Sequence, residues 1–151
     1  MKIYIILDNI RSAFNVGSIF RSADGAGSVK KIYLCGMTTD IDNPKLNKTA
    51  LGATDMIPSE HYDSTQEAID ELKEIGIPIY AVELTDDAQH FQKIQYPNKV
   101  ALLFGHEKRG VSDDILERVD EKIYIPMRGK KESLNVANCA SIILYEITKE
   151  S

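Results

Sequence analysis

Five runs that are apolar almost throughout recur along the chain: KIYIIL at 2–7, VKKIYL at 29–34, IPIYAVEL at 77–84, VALLF at 100–104 and KIYIPM at 122–127. A strand with one wetted face alternates apolar and polar residues, so runs of this kind belong to a sheet covered on both sides. The covers lie between them, as helical patterns over roughly 13–24, 64–75, 112–119 and 133–149. In the second of these, Asp63 or Ser64 offers an N-cap, Ala68, Ile69, Leu72 and Ile75 form an apolar stripe, and Gly76 ends the helix. Strand and helix in alternation predict an α/β fold, a mostly parallel sheet with helices on both faces. The longest stretch without a pattern, GMTTDIDNPKLNKTALGATD at 36–55, reads as an irregular loop of the kind that often carries function. The last helix has Val136, Cys139, Ala140, Ile143, Leu144 and Ile147 on one stripe, widened by Leu134 and Ile142. Such a face suits the domain centre, a partner subunit, or both.

The 151 residues fit one domain, and 43% hydrophobic with 27% charged residues is ordinary for a globular chain. No apolar run approaches the roughly 20 residues of a membrane-spanning helix. The amino-terminal MKIYIILDNIRSAFN has neither the apolar length nor the cleavage site of a secretory signal. Cys35 and Cys139 form no C-x-x-C pair, which argues against a disulfide framework or a zinc site and for a reducing cytosol. The net charge of −5 is unevenly spread: residues 59–90 hold nine acids against Lys73 alone, which leaves a net +3 elsewhere, densest at RGKK, 128–131. A phosphate backbone responds to local potential rather than to the total, so the acidic balance does not exclude a nucleic acid. A solvated basic loop is the plainer reading of RGKK.

Ligands of open parallel sheets bind beyond the carboxyl ends of the strands, and three loops there carry unusual residues. After the first strand, DNIRSAFNVGSIFRSADGAG holds Asn15, able to cap a helix, and Gly17, which lets another backbone approach. Arg21 follows four residues later on the same helix face, and on local grounds it reads as a salt-bridge partner for a nearby acid. After the fourth strand, GHEKRGVS (105–112) matches the phosphate-loop spacing G-x-x-x-x-G-K-[ST] except that Val111 replaces the lysine. Without that lysine, and with Glu107 adding negative charge, the turn is not an ATP site. A turn holding one carboxylate suits a neutral or cationic ligand with ribose or amine donors. An ordinary strand-to-helix turn capped by Ser112 explains Gly110 and Ser112 but not Glu107. After the fifth strand, IPMRGKKESLNVANCA passes Pro126 and Gly129 and begins a helix at Ser133 or Asn135, where a serine is usually a cap. Ser133 has no G-x-S-x-G elbow, the three histidines (His61, His90, His106) show no triad, and His106 with Glu107 lacks the second histidine of a zinc helix. No G-x-G-x-x-G follows a strand either. Hydrolase, metalloenzyme and dinucleotide-oxidoreductase chemistries are therefore not indicated.

Together and in this order, NVGSIFRSAD, LLFGHEKRGVS and IPMRGKKESLNVANCASIILYE resemble the three motifs of the SpoU/TrmH-type RNA 2′-O-ribose methyltransferases, a branch of the SPOUT superfamily. KTALGATDMIP at 48–58 is similar as well, so the resemblance covers essentially the whole chain. It implies a single methyltransferase domain over 1–151 whose C-terminal segment forms a deep trefoil knot. It also implies S-adenosylmethionine held in that knot, no metal, and a homodimer in which the partner subunit completes each active site. By motif, Gly105, His106, Ile125, Met127 and Leu134 are expected to line the cofactor pocket, largely through backbone groups, with Leu84 added at the end of the third strand. Arg21 matches the catalytic arginine and Asn15 its supporting asparagine, while Glu107, Ser133 and Asn135 match the polar residues around the target ribose. His106 stands where these proteins commonly have asparagine, and its backbone is expected to matter more than its side chain.

The reaction so implied is attack of a ribose 2′-hydroxyl of tRNA or rRNA on the methyl of a sulfonium cofactor, and a carboxylate-bearing turn suits that cation. No appended RNA-binding domain is expected at this length, so the dimer surface must hold the RNA, with RGKK, Arg11, Lys45 and Lys48 as phosphate contacts. The alternative is a catalytically silent RNA- or nucleotide-binding module of the same fold. Asn15, Arg21, Glu107, Ser133 and Asn135 together speak against it, since a silent copy is free to lose several.

Overall fold

In the computed structural model, which describes residues 1–150, the five expected strands are β1 (Lys2–Asp8), β2 (Val29–Cys35), β4 (Ile79–Val82), β6 (Lys99–Phe104) and β7 (Glu121–Tyr124). Two short strands join them, β3 (Ser59–Tyr62) and β5 (Gln89–His90). All seven pair in parallel in one sheet of order β3-β2-β1-β6-β4-β7-β5. The run expected over 122–127 leaves the sheet after Tyr124, so Ile125–Met127 belong to a loop rather than to a strand.

Successive side chains of a strand point to opposite faces, and here both faces are buried. Ile3, Ile5 and Leu7 of β1 and Leu102 and Phe104 of β6 pack with α1 (Ala13–Ala26), α2 (Pro44–Ala50) and α5 (Val136–Ile147). Ile6, Ala101 and Leu103 pack with α3 (Thr65–Glu74) and α4 (Asp113–Leu116). Ser64 caps α3, and Ala68, Ile69 and Leu72 form its buried stripe; Ile75, expected there too, is 58% exposed because it is already past the helix end. The α5 stripe is buried as expected at Val136, Ala140, Ile143, Leu144 and Ile147, while Ile142 and Tyr145 stay open on its outer side. This helix lies along α1, where the Ser22 and Ser141 hydroxyls meet at 2.6 Å.

The stretch 36–55 is more ordered than its sequence suggests. Asn43 caps α2 by accepting from the Lys45 amide at 2.9 Å, Pro44 occupies the first helical position, and a 3-10 turn over Ala53–Asp55 follows. Gly17 makes room for this helix: a Cβ there would collide with the Leu46 carbonyl and the Thr49 hydroxyl. The close approach lets Thr49 donate to the Phe14 carbonyl of α1 at 2.7 Å. In an ordinary exposed helix Gly→Ala gains about 1 kcal/mol; at Gly17 the sign reverses. Gly17→Ala is expected to destabilise the protein by about 1–3 kcal/mol, as overpacking does, measured by urea unfolding; an unchanged or higher midpoint would contradict the packing described.

Candidate active site

A cavity of about 350 Å³ opens beyond the carboxyl ends of β4, β6 and β7, a position and size usual for ligand sites of parallel sheets. All six residues expected around the cofactor line it, Leu84, Gly105, His106, Ile125, Met127 and Leu134, together with Glu107 and Ser133. Its floor is the turn after β6. Gly105 has no room for a side chain, because a Cβ would sit 2.6 Å from Val111 Cγ2 and 2.7 Å from the Gly110 carbonyl carbon. Gly110 has φ +67°, and a Cβ there would strike the Glu83 carboxylate. The two glycines of the phosphate-loop spacing thus answer a packing demand.

The amides of the turn show why it cannot cradle a phosphate. His106 Nδ1 accepts from Lys108 and Arg109 N–H at 3.1 Å each, the His106 carbonyl accepts from Gly110 at 2.8 Å, and Glu83 Oε2 accepts from Val111 at 2.8 Å. The four successive N–H groups of residues 108–111 are thus taken up within the protein and form no anion-binding nest. The His106 side chain therefore matters more than its sequence position suggests: it closes the turn, a task for which an asparagine oxygen would also serve. With Nδ1 accepting, the proton of the neutral ring is on Nε2. Glu83 was hidden in the sequence as one acid within an apolar run; its place just past the carboxyl end of β4, where parallel sheets bind ligands, is the signal that marks it.

Glu107, next on the turn, faces the β1–α1 connection. Its Oε1 accepts from the Arg11 amide at 3.0 Å, and Oε2 from the Ser12 amide at 3.0 Å and Asn15 Nδ2 at 3.4 Å. Asn15 Oδ1 in turn accepts from Asn135 Nδ2 at 3.2 Å. Asn135 caps α5, its Oδ1 accepting from Ala137 at 2.9 Å and Asn138 at 3.2 Å, while Ser12, not Asn15, caps α1. Ser133 is consequently no cap, and its exposed side chain remains on the cavity wall. Arg21 lies six residues beyond Asn15, about 9 Å along the helix, exposed and without an ion pair among the described residues. The structure thus joins Asn15, Glu107 and Asn135 and leaves Arg21 apart. The expected phosphate contacts Arg11, Lys45, Lys48, Arg128, Lys130 and Lys131 are all exposed, and none is in an ion pair among the described residues. No group of three or more metal-ligating side chains is present among the described residues.

Burial works to raise the Glu107 carboxyl, but the amides of Arg11, Glu107 itself and Ser12, with the Asn15 side chain, outweigh it and hold the group below its ordinary value of 4.5. A carboxylate so held is a weak base and a firm anchor. Because the folded value lies below the unfolded one, the group adds stability above about pH 4.5 and loses it as the pH falls through the lowered folded value. Glu107→Gln is expected to unfold at lower denaturant concentration than the parent at neutral pH, with the gap closing in acid. A gap independent of pH would contradict the charged network.

The comparisons with known proteins agree on one group. The family model described as SpoU rRNA Methylase matches residues 2–145. The tRNA (guanosine(18)-2'-O)-methyltransferase of Thermus thermophilus is 34% identical over 146 residues, which are 97% of this chain and 74% of that protein. The 23S rRNA (guanosine(2553)-2'-O)-methyltransferase of Bacillus subtilis is 34% identical over 95% of this chain and 56% of its own length. Among solved structures, the AdoMet-bound rRNA methyltransferase of Sinorhizobium meliloti superposes with a TM-score of 0.91 at 30% identity, covering 98% of this chain and 56% of that one. The chain therefore spans between just over half and three quarters of these relatives. The match runs through all three loops that build the cavity and its polar flank, and the chain belongs to the SpoU rRNA methylase family.

Proposed function

We propose that the chain transfers a methyl group from S-adenosylmethionine to a ribose 2′-hydroxyl of tRNA or rRNA. The observation that carries this reading is the chain of contacts Glu107–Asn15–Asn135 beside a cavity lined by all six expected cofactor residues. The cavity fits the cofactor: Leu84, Ile125, Met127 and Leu134 offer apolar walls to an adenine ring, and Glu83 places a carboxylate where a cationic ligand is favoured. When bound, S-adenosylmethionine supplies an electrophilic methyl on a sulfonium.

The protein has two tasks: to place the 2′-hydroxyl in line with that methyl and to stabilise the alkoxide as it forms. Glu107, with its oxygens taken by three donors, positions rather than abstracts, and Asn15 and Ser133 offer the polar groups nearest the ribose. Arg21 grips the adjacent phosphate and stabilises the alkoxide. A guanidinium is never deprotonated under these conditions, so a phosphate oxygen or water takes the proton.

Three further features belong to this reading. A homodimer is supported by the exposed Ile142 and Tyr145 on α5 and by Arg21, which is exposed, makes no ion pair among the described residues and is available to a neighbour's site. A C-terminal trefoil knot is supported by β7 lying between β4 and β5, with the segment after β7 closing one cavity with the end of β4 and the 105–110 turn. A cytoplasmic place is supported by two free cysteines. Incubation with labelled S-adenosylmethionine and total cellular RNA, followed by nuclease mapping, is expected to put label in a 2′-O-methyl ribose. Arg21→Lys is expected to lower kcat on the order of 10²-fold with cofactor affinity intact, as loss of an alkoxide-stabilising donor does. Label in a base, no label despite tight cofactor binding, or near-normal turnover of the lysine variant would each count against the part it tests.

A further inference from the structure

A second cavity, of about 490 Å³, lies on the α3 and α4 side of the sheet, beyond the ends of β1 and β2 and behind the 106–110 turn. It lies between the ends of β1 and β6, whose following helices α1 and α4 cover opposite faces of the sheet, the kind of crevice where open parallel sheets bind ligands. The family resemblance assigns it no role.

Its chemistry is specific. His106 is 8% exposed and lines this cavity, and its Nε2, which carries the ring proton, is buried without a hydrogen-bond partner. A buried donor left unpaired is costly and calls for an acceptor. Nearby, Ser64 caps α3 through the Glu67 amide, leaving the amides of Thr65 and Gln66 without intrahelical partners. Against these donors stand three carboxyl groups. Asp8 accepts from the Thr65 hydroxyl at 2.5 Å, Asp114 accepts from Gln66 Nε2 at 2.8 Å, and Asp63 is exposed at the rim. Arg109 is the sole cation of the lining, so a phosphate or other anion is disfavoured. The apolar surface comes from Met37, 52% exposed, and Ile115. A neutral, flat ligand with donors and acceptors on one edge matches this set: a nucleobase, stacked against Met37 or the Arg109 guanidinium.

We infer that this cavity binds an unpaired nucleobase, from a nucleotide adjacent in the RNA to the one being methylated. The inference rests on the function proposed above. The two sites share one turn: His106, Arg109 and Gly110 line both cavities, and Glu107, the residue after His106, is tied to the Asn15 side. Likewise Asn9 lines the cavity while the Arg11 and Ser12 amides hold Glu107. Adjacent nucleotides of a splayed strand can therefore occupy both sides of the turn at once, and reading one base outside the reacting ribose gives the enzyme sequence selectivity.

The test follows the His106 Nε2–H resonance in ¹⁵N-histidine-labelled protein during titration with single-stranded trinucleotides, trinucleotides lacking bases, and mononucleotides. Cofactor affinity and methyl transfer are measured on the same samples. Base-bearing trinucleotides are expected to shift the resonance to saturation, and base-free ones to leave it in place. Asp63→Ala, and His106→Asn, which keeps an acceptor for the turn amides but loses the Nε2–H, are each expected to weaken trinucleotide binding about tenfold. Asp63→Ala is expected to leave cofactor affinity unchanged. No shift, or the same shift with base-free strands, overturns the inference. Binding of mononucleotides but not of trinucleotides also overturns it, and points to a free nucleotide instead. Base-dependent binding without methyl transfer overturns the catalytic reading while leaving the base site standing.

Discussion

The carboxylate of Glu107 holds the site together. Two backbone amides of the β1–α1 connection and the side chain of Asn15 converge on it across more than 90 residues of sequence. Asn15 passes the tie on to Asn135, which also starts α5. Three loops that would otherwise move separately are thereby fixed to one another at the carboxyl edge of the sheet. The ionised state of Glu107 is part of that fixity, because amide donors hold a charged acceptor more strongly than a neutral one.

The neighbouring turn obeys the same logic on its other side. His106 and Glu83 take up the amides of residues 108–111, so the turn is rigid without a ligand and offers no anion cradle. Gly105 and Gly110 are there because Val111 and Glu83 stand where side chains would be. A loop spaced like a phosphate site is built instead as a wall, with the carboxylates of Glu83 and Glu107 both lining the cavity beyond β4, β6 and β7. That arrangement favours a cationic cofactor over a polyphosphate.

Much of this was legible in the residues. The five apolar runs and the stripes of α3 and α5 place the main elements, since a sheet buried on both faces leaves a plain signal. The six expected cofactor residues, with Glu107 and Ser133, fall around one cavity, Asn15 and Asn135 join it through Glu107, and Arg21 stands apart. What was not legible has physical reasons. β3 is SEHY, a polar edge strand, and β5 has two residues, so neither shows an apolar pattern. α2 buries only Leu46 and Ala50 and depends on the room Gly17 leaves, which is a tertiary fact. Residue type left Ser133 and Asn135 both open as the start of α5, and the structure takes Asn135, which reaches both its helix and Asn15. Arg21 on local grounds reads as an ion-pair partner, yet it makes no ion pair among the described residues. Glu83 and the side-chain role of His106 depend on how the turn folds back, which spacing alone does not encode.

The central claim is that the cavity framed by β4, the 105–111 turn and the segment after β7 holds S-adenosylmethionine. Titration of protein carrying ¹³C-labelled Ile, Leu and Met methyl groups tests it most directly. Leu84, Ile125, Met127 and Leu134 are expected to shift together and saturate, while Leu72 and Ile115 on the far face stay in place. Shifts centred on Met37 and Ile115, or no shift at all at millimolar cofactor, would contradict it.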